Sequence, residues 1–134
     1  MNILEVKNII HRYDEKEVLK NVSLNIKEKE FLGIIGPNGS GKTTLLKIMS
    51  RGLKQTSGEI LFKGENIFKL KSRFVASNIA MVPQEETAIF AFTVFEIVVM
   101  GRSPYIKRFS WETKTDIEIA EKSMKLADVF DLKD

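Results

Sequence analysis

One stretch constrains this chain more than any other: Phe31-Leu32-Gly33-Ile34-Ile35-Gly36-Pro37-Asn38-Gly39-Ser40-Gly41-Lys42-Thr43-Thr44-Leu45-Leu46. The apolar run Phe31 to Ile35 predicts a short buried strand. Gly36 to Gly41 is a glycine-rich turn. From Thr43 on, Leu45, Leu46, Ile48 and Met49 are the apolar positions of a predicted helix. A strand, then G-x-x-x-x-G-K-[ST], then a helix is the P-loop pattern in the context that it requires.

Each residue type in that pattern has a chemical reason. A polyphosphate needs several N–H donors converging on it with no bulky side chain in the way. Gly36, Gly39 and Gly41, with Asn38 and Ser40 between them, let the backbone curl so that its N–H groups form an anion nest. The helix that begins near Lys42 adds its positive end. Lys42 reaches the β- and γ-phosphates as a point charge, the Thr43 hydroxyl is a Mg²⁺ ligand, and Thr44 offers a bond to a further phosphate oxygen.

Composition enters mainly through what it excludes. At 134 residues the chain is at most one domain, large enough to hold a core. It has no cysteine, so disulfides and thiolate metal sites are ruled out. The net charge of +3 comes from basic residues interleaved with acidic ones, which argues against a nucleic-acid partner. Met1-Asn2-Ile3-Leu4-Glu5 lacks the basic and apolar regions of a signal peptide. No apolar run approaches the roughly 20 residues that span a bilayer; the longest, Ala88 to Phe95, is broken by Thr93. A cytoplasmic location is the expectation.

Ahead of the P-loop, Ile3, Leu4, Val6, Ile9 and Ile10 predict one strand, and Val18, Leu19, Val22, Leu24 and Ile26 a second. The polar stretch His11 to Glu17 between them reads as a turn, giving an antiparallel layer over residues 1–30. Beyond the P-loop helix, Glu59 to Phe62 predicts a short strand, Ile67 to Phe74 has room for a short helix, and Asn78 to Val82 predicts a second buried strand ended by Pro83. That places Gln84 at the C-terminal end of a core strand, where open α/β sheets put ligands. Its carbonyl can meet Mg²⁺ and its N–H a water. Tyr13 sits in the polar turn with a ring able to stack on a base. By position alone, Tyr13 also reads as a half-buried surface tyrosine and Gln84 as a polar loop residue. His11, the single histidine, reads as structural. Further on, Ser110 or Thr113 caps a helix over Glu112 to Ala127, with Ile117, Ala120, Met124 and Ala127 on its inner face and Trp111 as a packing anchor at its start.

These residues together resemble the ATP-binding subunit of ABC transporters. Gly36 to Leu46 is similar to that family's Walker A, down to the Pro37-Asn38 pair. Tyr13 matches its adenine-stacking aromatic and is followed by Val18-Leu19-Lys20-Asn21-Val22-Ser23-Leu24. Thr56-Ser57-Gly58-Glu59-Ile60 matches the segment after the Walker A helix, and Val82-Pro83-Gln84 the Q-loop. Val98 to Tyr105 resembles the branch serving importers of iron–siderophore, haem or cobalamin complexes. One departure is Lys29, where the family usually has glycine.

The resemblance implies an α/β P-loop NTPase fold with an N-terminal antiparallel β layer (1–30), a P-loop core (31–87) and the start of a helical subdomain (88–134). It implies ATP and Mg²⁺ as ligands, and Gln84 as a catalytic and metal-binding residue. Transmembrane permease subunits and a second copy of the ATP-binding subunit are the implied partners, and the inner face of the cell membrane the implied location. The family's signature motif, its Walker B (four apolar residues, then Asp-Glu) and its switch histidine have no match in this sequence. The resemblance therefore covers roughly the N-terminal half of such a domain. The expectations are that this chain binds nucleotide weakly, hydrolyses it negligibly, and exposes an apolar sheet edge. A non-catalytic nucleotide-binding module, or an ABC ATPase of another transport branch, is the alternative.

Overall fold

The computed structural model describes residues 1–84, 91–107 and 109–133. They form two compact units, Met1–Ala80 and Met81–Asp134. The start of the apolar run, Ala88 to Phe90, lies outside the described residues.

The first unit is built on a long hairpin, β1 (Asn2–Tyr13) and β2 (Lys16–Lys27), with Tyr13 paired to Lys16 across a two-residue turn. β3 (Ser57–Phe62) pairs antiparallel to the other side of β1, and the short β4 (Glu65–Asn66) completes the order β2-β1-β3-β4. The turn is thus shorter than the polar composition of 11–17 suggested, and His11 and Tyr13 are strand residues. The cross-strand pair of Arg12 and Glu17 explains why polar residues serve there: two guanidinium nitrogens donate to one carboxylate oxygen, at 2.8 and 3.0 Å.

Paired irregularities in β1 and β2 decide which side chains face inward. Leu4 and Val6 are buried, then Ile9 and His11, so the alternation changes phase between Val6 and Ile9. Asn8 sits at the change with φ 51°, and Asn21 opposite it has φ 57°. Asn tolerates this left-handed conformation. The Asn8 side chain donates to Asn21 Oδ1 at 2.9 Å, and the Asn8 N–H donates to Ser23 Oγ at 2.8 Å. β3 crosses the same spot at Gly58, whose φ is 88°.

Helix α1 (Lys42–Met49) buries Thr44, Leu45, Ile48 and Met49, and leaves Leu46 on the outside. With Ile9, Leu19, Ile60, Phe62, Ile67 and Val75 of α2 (Ser72–Asn78), these apolar side chains make one core. Burial of such side chains is worth roughly 1.5–3 kcal/mol each.

Two predicted strands are not strands here. Residues 31–35 and 79–82 have no ladder partner among the described residues. Asn78 ends α2 instead. Phe31 and Ile35 are almost fully exposed, at 98% and 97%, and Val82 at 93%. A strand exists only by pairing, so apolar composition alone cannot make one. Exposed apolar backbone of this kind is a template for association. We expect light scattering to show concentration-dependent self-association, reduced by Phe31→Lys; a monodisperse monomer at all concentrations overturns this.

Lys29 has φ 61°, in the turn that follows β2, where Lys27 N–H donates to Glu30 Oε2 at 2.6 Å. The residue that departs from the family pattern therefore occupies a conformation that favours glycine. Lys29→Gly is expected to raise stability by about 0.5–1 kcal/mol, less than the full left-handed penalty because glycine also loosens the unfolded chain. A thermal midpoint at or below that of the unaltered chain counts against this.

In the second unit, α3 (Val94–Met100) and α4 (Lys114–Leu126) each start with a capping box, Thr93 with Glu96 and Thr113 with Asp116. Thr113 is the cap, as its spacing allowed. The buried stripe of α4 is Asp116, Ala120 and Met124, not Ile117 and Ala127. Asp116 is drawn inward by Thr113 and by Arg102, whose Nε donates to Oδ1 at 3.0 Å. Bonds from Thr113, then the Arg102 guanidinium, hold the Asp116 carboxyl below its usual pKa. Trp111 is 87% exposed, so it is not a buried packing anchor among the described residues; the polar cap fixes the helix start.

Candidate nucleotide site

The candidate site is the junction of the loop Gly36–Gly41 with the N-terminus of α1. Gly41 is the residue before the helix, with φ 91° and ψ 7°. Gly39 also has positive φ, at 77°. These two positions require glycine by conformation. Gly41 requires it by space too. A Cβ there would lie 2.8 Å from Leu19 Cδ2 and 3.1 Å from the Val18 carbonyl oxygen. The loop is thereby pressed directly onto β2. At Gly36, a Cβ would lie 2.8 Å from Ser40 Oγ across the loop.

Within the loop, Ser40 N–H donates to the Pro37 carbonyl at 3.2 Å. Lys42 Nζ donates to the carbonyls of Gly36 and Pro37 at 2.7 and 2.8 Å, and more weakly to Ser40 Oγ at 3.4 Å. Two of the three ammonium donors thus clamp the first limb of the loop to the helix. The third, at a distance beyond the usual range, is the one that an arriving phosphate oxygen can take over. Asn38, Gly39 and Ser40 are exposed along the loop, and Thr43 is exposed in the first turn of α1. Thr44 is 9% exposed and belongs with the core-facing side of the helix. A small loop with glycines where a Cβ would intrude, a clamping cation, and an exposed hydroxyl at a helix N-terminus fits a Mg²⁺–polyphosphate.

Tyr13 lies at the end of β1, 46% exposed. A chain of contacts links it to the loop. Its ring meets His11 nearly perpendicularly, at a centroid distance of 4.8 Å and an interplanar angle of 86°. His11 pairs with Leu19 across the hairpin, and Leu19 lies against Gly41. Gln84 belongs to the second unit and is exposed there; it follows an exposed segment rather than a core strand.

The loop, Lys42 and Thr43 named from the sequence lie together at the start of α1, whereas the sequence reads His11 as structural and Leu19 as a strand position, and does not single out Asn8. The one signal available for them was the broken alternation of Leu4, Val6 and Ile9. It marks a bulge ahead of Tyr13.

Comparison with known proteins gives a consistent result. Residues 19–133 match the model of the ABC transporter family. The petrobactin import ATP-binding protein FpuC of Bacillus anthracis is 35% identical over 95% of this chain and 47% of its own length. The hemin import ATP-binding protein HmuV of Pseudomonas fluorescens is 41% identical over 77% of this chain and 40% of its own. A dimeric bacterial ABC transporter cassette of known structure superposes with a TM-score of 0.80 and 31% identity, over 93% of this chain and 57% of that one. The chain spans about half the length of the curated relatives that it matches.

Proposed function

We propose, from the premise that this chain belongs to the ABC transporter family, that it carries the nucleotide-holding part of an importer's ATP-binding subunit. The observation that supports this most directly is the Lys42 clamp across a loop whose Gly41 has no room for a side chain. In this reading the backbone of Gly36 to Gly41, with Asn38 and Ser40, receives the phosphates. Lys42 turns its third donor to them, and Tyr13 stacks on the base. Thr43 on α1 would hold the Mg²⁺. The bound cation would offset the charge of the phosphates and orient them. Gln84, in the second unit, is proposed by itself for the metal-binding and water-positioning role that the resemblance implies.

The cargo proposed is an iron–siderophore, haem or cobalamin complex, in line with the petrobactin, hemin and cobalamin import relatives. The proposed partners are transmembrane permease subunits and a second ATP-binding subunit, with the chain peripheral on the inner face of the cell membrane. Among the described residues, no helix is long and apolar enough to cross a membrane.

Hydrolysis needs a general base, typically worth 10²–10⁴ in rate. No run of four apolar residues followed by Asp-Glu occurs in this sequence. The expected result of titrating the chain with MgATP in a calorimeter, with phosphate release followed in the same sample, is saturable binding without turnover. Turnover at ordinary ATPase rates, or no binding at all, overturns the reading.

A further inference from the structure

His11 is only 6% exposed, yet neither Nδ1 nor Nε2 has a hydrogen-bond partner among the described residues. A buried imidazole with both nitrogens unpaired carries a desolvation cost that an apolar residue in its place would not incur. The position is not otherwise demanding of polarity. It continues the inward-facing series Leu4, Val6 and Ile9, and its cross-strand partner is Leu19. What the imidazole does touch is Tyr13, two residues on and on the same face of β1, in the edge-to-face geometry that aromatic pairs favour.

We propose that His11 is a positioning residue for nucleotide binding: it holds the Tyr13 ring in the orientation that receives the base. This rests on the reading of Tyr13 as the base platform. The half-exposed Tyr13 ends a strand next to a two-residue turn, and among the described residues its ring contact is with His11. A perpendicular contact engages at most one face of the phenol ring, so a face remains for a base. The same imidazole reaches the phosphate loop through Leu19, which lies against Gly41. The Asn8 bulge is what makes this possible. Without its change of phase, Ile10 and Arg12 would occupy the inner face, and His11 and Tyr13 the outer one.

The test compares ATP with inorganic tripolyphosphate, which has no base, in calorimetric titrations of the full chain with Mg²⁺. His11→Leu is expected to melt at the same temperature or higher, because the unpaired nitrogens are gone. It should weaken ATP about fivefold while leaving tripolyphosphate within about twofold. His11→Phe, which keeps an aromatic ring against Tyr13, should restore ATP affinity to within about twofold of the unaltered chain. Equal losses for both ligands, or no loss of ATP affinity, overturn the inference. If His11→Leu fails to fold, His11→Phe decides: lost preference for ATP over tripolyphosphate overturns the inference, and retained preference supports it. Tyr13→Ala separates the two levels. If it leaves the ratio of the two affinities unchanged, the base-platform reading fails and the inference with it. If it collapses that ratio while His11→Leu does not, the inference alone fails.

Discussion

Gly58→Ala is expected to lower the thermal midpoint of the first unit by about 15 °C, a loss of about 3 kcal/mol. Two effects add at this position. The backbone has φ 88°, which costs a residue with a Cβ roughly 1–2 kcal/mol. The Cβ would also lie 2.4 Å from the Asn8 carbonyl oxygen and 2.5 Å from that of Lys7. These are backbone atoms of the central strand, at the bulge itself, and cannot rotate away as a side chain can. Overpacking of this kind costs about 1–3 kcal/mol. Set against a typical net stability of about 5–15 kcal/mol, the sum is a large fraction. Gly64→Ala is the matched control: φ is similar at 84°, but nothing lies within 4 Å of the added atom. It should lose only the conformational part. Equal losses at the two glycines show that the collision with β1 is relieved at no cost, and overturn the prediction.

Lys42→Ala is expected to weaken MgATP binding by at least about thirtyfold with little change in the melting temperature. The ammonium makes charge-assisted bonds, worth roughly 1.5–3 kcal/mol to binding when one is directed at a phosphate, which is about 10- to 150-fold. The variant loses a second contribution as well. With Lys42 Nζ gone, the Gly36 and Pro37 carbonyls lose the donor that ties them to α1, so the loop must be ordered by the ligand itself. Stability should barely respond, because the side chain is outside the core of Leu45, Ile48 and Met49. Calorimetry with MgATP reads the first effect and a melt the second. Binding unchanged in the variant places the phosphate elsewhere and removes the proposed site.

The exposure of Phe31, Ile35 and Val82 bears on both experiments. These segments lead into the loop and to Gln84 but hold no ladder, so the loop is supported from the side of β2, through Leu19 and Val18, and from α1. Titrations are therefore best read at protein concentrations below any association seen by light scattering.

What the sequence determined alone is chemistry carried within a few residues of itself. The order Gly36, Gly39, Gly41, Lys42, Thr43 sets loop and helix start, because positive φ at glycine and donation from a lysine to nearby carbonyls are local properties. Thr113 and Asp116 cap α4 for the same reason. The strict alternation of Val22, Leu24 and Ile26 likewise became a half-buried strand. Tertiary structure decided everything that depends on pairing. The inward turn of His11, with Tyr13 beside it on the same face, follows from Asn8, Asn21, Ser23 and Gly58 meeting across three strands, which no window on one strand contains. The apolar segments at 31–35 and 79–82 read as strands by composition and are not strands here, since a β-ladder needs a partner at the right distance and register. Local conformational preference is written beside each residue; register belongs to the pair.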